Sequence, residues 1–183
     1  VAQILSAVES FLGLLGIALM TGLLYGRFSR PEAKIKYSKN ALIAPFGGST
    51  ALMFKMANQR SSKLIEAEVK VVMSYDKDGV RQFQNLDLQL KRINFFALSW
   101  TVVHPINEDS PLHGFNENSL EICNAEVVIL VKAFDDTFSQ TVYSRMSYKA
   151  DEFVWNAKFT SSIKEEGGQM TIDLAALDNY NKV

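Results

Sequence analysis

Two hydrophobic rhythms divide this chain. From Ser10 to Gly26 every residue is apolar, small or hydroxylic (SFLGLLGIALMTGLLYG), and Glu9 is the one charged side chain before Arg27. The next stretch, RFSRPEAKIKYSK, sets Arg27, Arg30, Lys34, Lys36 and Lys39 against Glu32. A bilayer core excludes charge, and Lys and Arg gather on its cytosolic side, so this border predicts a membrane helix meeting the cytosol. The uncharged run gives about 25 Å of helix, slightly short of a ~30 Å core. Counting back through Val1–Leu5 supplies the length and places Glu9 inside, where an acid must face protein or water. A secretory signal is disfavoured: the charge follows the apolar run, and no small-residue cleavage site precedes the basic segment. A buried helix of a soluble fold is the plain alternative.

After the border the rhythm changes to two. Leu64–Val72 alternates, with Glu66, Glu68 and Lys70 on one face and Ala67, Val69 and Val71 on the other. Asp76–Gly79 reads as a turn, and Val80–Leu90 alternates again. Ala41–Phe46 and Ala51–Ala57 flank Gly47-Gly48-Ser49-Thr50, a hairpin signal. Phe95–Val103 is an apolar run ended by Asp109-Ser110-Pro111. Asn118 or Ser119 is expected to cap one short helix ending near Cys123. Ala125–Phe134, Thr137–Tyr148 and Phe153–Phe159 complete the strands. Short strands with turn signals at this spacing predict an antiparallel sandwich. The fold class is therefore one membrane α-helix followed by an immunoglobulin-like antiparallel β-sandwich. The expected division is a helix over 1–28, a basic linker over 29–39 and a β domain over 40–183.

Charge narrows the function. The chain has 19 basic and 20 acidic residues; with Glu9 set aside, the part from Arg27 onward is formally neutral. That balance argues against nucleic acid as a partner. The basic collar is local enough to meet anionic lipid headgroups. Cys123 is the single cysteine, which excludes an intrachain disulfide and a cysteine-based metal cluster. His104 and His113 have no partner at metal-ligand spacing, and neither a nucleophile elbow nor a phosphate loop occurs. Asp135-Asp136 and Glu165-Glu166 are adjacent pairs, which on a strand point to opposite faces. No catalytic residue, metal site or enzyme is expected.

Four stretches together resemble the inward-rectifier potassium channels, most closely their bacterial KirBac branch. They are TGLLYGRFSRP, SKNALIAPFGGSTALMFKMANQRSSKLIEAEV, LSWTVVHPINEDSPLHG and AEVVILVKAFDDTFSQTVYSRMSYKADEFVWNAKF. The resemblance as a whole is ordered and nearly gap-free from about Val1 to Phe159. Members of that family carry an interfacial helix, an outer helix, a pore helix and a T-x-G-Y-G filter before this point. The resemblance implies that the chain starts at the inner helix, just after a filter, and holds the inner helix plus the cytoplasmic pore domain of a longer channel.

The helix suits that role. Ser10, Ile17, Thr21 and Tyr25 recur at helical spacing and share one stripe. By resemblance the stripe faces the conduction path, with Tyr25 narrowing its cytoplasmic end to a hydrophobic gate. Tyr25 alone also reads as an interfacial belt residue. Gly13, Gly16, Gly22 and Gly26 allow close helix contacts or bending, with Gly13 and Gly22 as hinges.

The resemblance also assigns charge-bearing positions. Ile17 stands where strongly rectifying members carry an acid that holds polyamine or magnesium. Glu66 matches a second such site, on the wall of the cytoplasmic pore, and Glu68 shares its face by alternation; without the family both read as a solvated strand face. Lys132 replaces an acid at a third site, so multivalent block should be weak. Ala133–Thr137, including Phe134 and Asp135, matches a second constriction at the apex of the domain. Arg27, Arg30, Lys34 and Arg60 match positions that contact anionic phosphoinositide, although a flanking basic cluster is also an ordinary topology signal.

The resemblance implies a homotetrameric potassium channel subunit, conducting passively, with the potassium ion as permeant species and no bound cofactor. It implies a bacterial inner membrane with the β domain in the cytoplasm. A membrane-anchored β-sandwich used for protein interaction is the second reading.

Overall fold

The computed structural model describes residues 1–28, 33–60, 63–166 and 168–183, without the side chains of Phe28, Glu166 and Gln169. It contains two compact units, Val1–Glu32 and Ala33–Val183. The first is a single helix, α1 (Ala2–Phe28). Its Ala2–Arg27 stretch is long and apolar enough to cross a membrane. Arg27 lies in the last turn, where a cation complements the helix dipole.

The second unit is built from β1 (Ile35–Tyr37), β2 (Ala41–Phe46), β3 (Ser49–Asn58), β4 (Leu64–Lys77), β5 (Val80–Asn85), β6 (Arg92–Phe96), β7 (Ser99–Ile106), α2 (Glu117–Ile122), β8 (Glu126–Asp135), β9 (Gln140–Lys149), β10 (Phe153–Trp155), β11 (Ala157–Phe159), β12 (Ile163–Glu166), β13 (Gln169–Ile172) and β14 (Tyr180–Lys182). One five-stranded sheet runs β1-β3-β2-β10, with β7 on the other edge of β3. The other runs β5-β4-β8-β9, with β6 also on β4. Pairing is antiparallel except for β10, which lies parallel to β2.

The alternation explains the packing. Val69, Val71 and Met73 of β4 and Val127, Ile129 and Val131 of β8 point inward to meet Leu52, Phe54 and Met56 of β3. Each such side chain contributes about 1.5–3 kcal/mol on burial. Tyr148 is fully buried in this core, 5.9 Å from the Phe54 ring. Its hydroxyl donates to the Ser38 carbonyl at 2.6 Å, and burial pushes the phenol far above its ordinary range.

All of Ala51–Asn58 is buried, because the far face of β3 is covered as well. There Ala44, Ala51, Met53 and Val103 pack with Phe46 and Phe159, and Leu177 is fully buried. Two lysines of that face hold the C-terminal segment: Lys55 Nζ donates to the Thr160 carbonyl and Lys36 Nζ to the Leu174 carbonyl. Burial lowers the Lys55 ammonium pKa.

Several boundaries differ from expectation. The β2–β3 turn is two residues, Gly47 and Gly48, both with positive φ, so β3 begins at Ser49. This is the geometry that a tight hairpin demands of glycine. The strand from Val80 stops at Asn85; Leu86 and Leu88 then sink into the core, and the Leu86 amide donates to the Val71 carbonyl. The run Phe95–Val103 breaks between Phe96 and Ser99 into β6 and β7, which belong to different sheets. Phe153–Phe159 breaks at Asn156, whose φ is 53°. The short helix is capped by Asn116, not Asn118 or Ser119; Ser119 instead completes the capping box. The segment read as a linker contains β1, paired to β3.

Candidate pore-lining helix and cytoplasmic wall

On α1, Ile17 and Tyr25 are 66% and 75% exposed. Ser10 is exposed too, with its hydroxyl donating to the Ser6 carbonyl one turn back, and so is Thr21. A Cβ placed on Gly13 or Gly22 would meet nothing within 4 Å, so neither glycine is required by contacts within the subunit.

The wall residues lie on the outward face of the second sheet. Glu68 stands directly across from Lys132, and Lys132 from Tyr143. Glu68 also lies 3.6 Å from Lys70 Nζ. Glu66 pairs with Arg92 of β6 at 3.1 Å. Arg92 was not singled out in the sequence; only the pairing of β6 with β4 sets it beside the wall acids. Both acids of this wall thus have cations of the same subunit beside them. Such exposed pairs are worth roughly 0–1 kcal/mol, so their weight is on local potential rather than stability.

The simple alternation of β4 fails at one place. A register shift against β8 falls between Ile65 and Glu68, and Glu66 has φ 51°. This is a β-bulge, with one extra residue on β4. It reverses the phase: Leu64 is buried and Ile65 turns outward, opposite to what Ala67, Val69 and Val71 predict.

At the end of β8, Lys132 and Phe134 point outward while Ala133 and Asp135 are buried. Asp135 Oδ1 accepts the amides of Thr137 and Phe138 at 3.0 and 3.2 Å, which folds the turn to β9. A buried carboxylate of this kind organises its own loop.

Of the basic positions, Lys34 and Arg60 are brought together: the Lys34 carbonyl accepts the Gln59 amide at 2.9 Å. The Arg60 guanidinium lies 5.8 Å from the Phe138 ring centre. Arg27 belongs to the helical unit, and Arg30 lies outside the described residues.

His104 is a structural residue. Its Nδ1 lies 2.6 Å from the Asp87 carbonyl and its Nε2 2.7 Å from Ser110 Oγ. A carbonyl only accepts, so Nδ1 carries the proton and Nε2 accepts from the serine hydroxyl. Ser110 Oγ also accepts the Leu112 amide. Burial lowers the His104 pKa, and the Asp87 contacts oppose this. Among the described residues no cluster of three or more His, Cys, Asp or Glu is placed to hold a metal.

Comparison with known proteins fits this arrangement. Residues 35–183 match the inward rectifier potassium channel C-terminal domain. The inward rectifier potassium channel Kirbac3.1 of Paramagnetospirillum magnetotacticum is 36% identical, over 86% of this chain and 55% of its own. The ATP-sensitive inward rectifier potassium channel 12 of Gallus gallus is 29% identical, over 94% of this chain and 43% of its own. Inward rectifier potassium channel 4 of Mesocricetus auratus is also 29% identical, over 94% and 41%. The chain spans about half the length of these curated relatives. An apolar helix leading to a β-sandwich that matches this channel domain over all but its first residues leaves one conclusion: the chain belongs to the inward rectifier potassium channel family, whose members are ion channels and not enzymes.

Proposed function

We propose that this chain is one subunit of a homotetrameric inward-rectifier-type potassium channel. The observation that carries the reading is the direct succession of an unbroken apolar helix and a channel-type cytoplasmic domain. In this reading α1 lines the membrane part of the path with Ser10, Ile17, Thr21 and Tyr25, and Tyr25 is its gate. Glu66, Glu68 and Lys132 line the cytoplasmic part. Potassium is the permeant species, and conduction is passive without a bound cofactor. Anionic lipid, including phosphoinositide, modulates the channel at Arg27, Arg30, Lys34 and Arg60. Multivalent cations block weakly, because Ile17 is neutral and each wall acid has a cation beside it. The membrane is the bacterial inner membrane. Glu9 supports assembly, since an acid in an apolar span requires a polar or hydrated neighbour.

The test uses the full-length protein. Native mass determination in mild detergent should give a tetramer, and liposomes containing it should take up rubidium. A monomer without flux would overturn the channel reading and favour a membrane-anchored interaction module.

A further inference from the structure

The bulge in β4 has a consequence on the outward face of the second sheet. Phe95, Ile65 and Phe134 lie opposite one another on three neighbouring strands, β6, β4 and β8. Opposed residues of antiparallel strands point to the same side. Leu64, Phe96, Ala133 and Asp135 beside them are all buried, so this row points outward. Phe95 is 77% exposed, while Ile65 and Phe134 are half-buried. Strand spacing makes the row about 10 Å wide. A regular strand would have put Ile65 in the core and the charged Glu66, not Ile65, across from Phe134. The bulge therefore creates the row, and it holds a non-glycine residue, Glu66, at positive φ.

The row shares its face with the wall. Phe134 follows Lys132 by two residues on β8, and Glu68 faces Lys132 across β4. The adjoining acids have cations close by, so the row borders paired charges.

We infer that Phe95, Ile65 and Phe134 form an apolar collar around the ion path, in which the wide charged wall gives way to a constriction that closes by dewetting. This rests on the reading that the Glu68–Lys132 wall faces the path. It assigns Phe95 and Ile65, from two other strands, to a constriction that the resemblance placed in residues 133–137 alone. Ala133 and Asp135, being buried, do not form its surface.

The experiment uses the full-length channel in liposomes, with Cys123, the single cysteine of this chain, and any cysteine elsewhere in the protein replaced by Ser. Phe95→Cys is compared with Ile122→Cys, an 82% exposed position on α2, which lies at the Asp76 end of β4, opposite to the end that carries Ile65. A charged, membrane-impermeant thiol reagent is given access to the β domain, and rubidium flux and intact mass are read together. Modification at Phe95→Cys should change flux at least threefold, and modification at Ile122→Cys should leave it unchanged. Phe95→Asn, which touches an exposed position, should raise basal flux several-fold by wetting the collar. Complete modification of Phe95→Cys with unaltered flux, or a Phe95→Cys thiol that resists modification, overturns the collar. A Cys123→Ser parent without any flux overturns the channel reading, and the collar with it.

Discussion

Arg92 shows how one side chain changes the meaning of another. Glu66 alone would present an unpaired carboxylate on the outward face of the sheet, but a guanidinium sits 3.1 Å away. Replacing Arg92 with Gln should tighten spermine or magnesium inhibition of the full-length channel several-fold, and adding Glu66→Gln should reverse the gain; voltage-clamp recording with internal blocker reads both. Ile17→Asp should act more strongly, by well over tenfold, or more than about 1.4 kcal/mol. In the proposed tetramer it would set four carboxylates around a narrower and less watery passage, where Coulomb attraction is less damped. Steep block of the unmodified channel would show that Ile17 does not occupy the blocker position. A different residue-scale device is His104, which is needed neutral. A base whose pKa is lower folded than unfolded gives stability that is complete above the ordinary histidine value, near 6.5, and lost as pH falls below it. Thermal unfolding of the β domain should therefore shift to lower temperature between pH 7.5 and 5.5. His104→Asn should lower the midpoint at pH 7.5, by about 1–3 kcal/mol of stability, and flatten that slope.

Among the elements, β4 is the most instructive. Its left-handed residue tolerates glycine and resists β-branching. Glu66→Gly should keep the bulge and stabilise the domain by about 1 kcal/mol, whereas Glu66→Val should destabilise it by more than that, as read from urea midpoints. Alternation was enough to place β4, β8 and β9, because each has one face in a core and one in water. It failed where that condition fails. β3 is covered on both faces, so its Ala51–Ala57 stretch carries no rhythm. β1 and the pairs β11–β14 and β12–β13 are three or four residues long and leave almost no periodic trace. The breaks at Asn156 and between Phe96 and Ser99 are changes of sheet, which composition does not mark. The bulge was invisible because LIEAEVKVV is a regular alternation on paper from Ile65 onward; only pairing to β8 reveals the extra residue. Of the candidate wall, Glu66, Glu68 and Lys132 were legible through resemblance, while Arg92 and Phe95 come from strands whose neighbours the sequence leaves open.

At the scale of the molecule, the domain is closed on the far face of its first sheet by its own C-terminal segment. Shortening the full-length chain after Phe159 would remove the fully buried Leu177 and leave Lys55 and Lys36 without their carbonyl partners. Such a truncation should lower thermal stability and promote aggregation, visible by light scattering on heating. The same scale bears on the stacking of Arg60 over Phe138. One guanidinium serves the ring at the tip of the β8–β9 turn and stands among the cations proposed for lipid. If a headgroup draws it from the ring, the two engagements compete for a single group. Thermodynamic reciprocity then applies: whatever factor the lipid imposes on the turn's conformational equilibrium, the turn imposes on the lipid's affinity, so a change at Phe138 alone is enough to retune a membrane signal that never touches it.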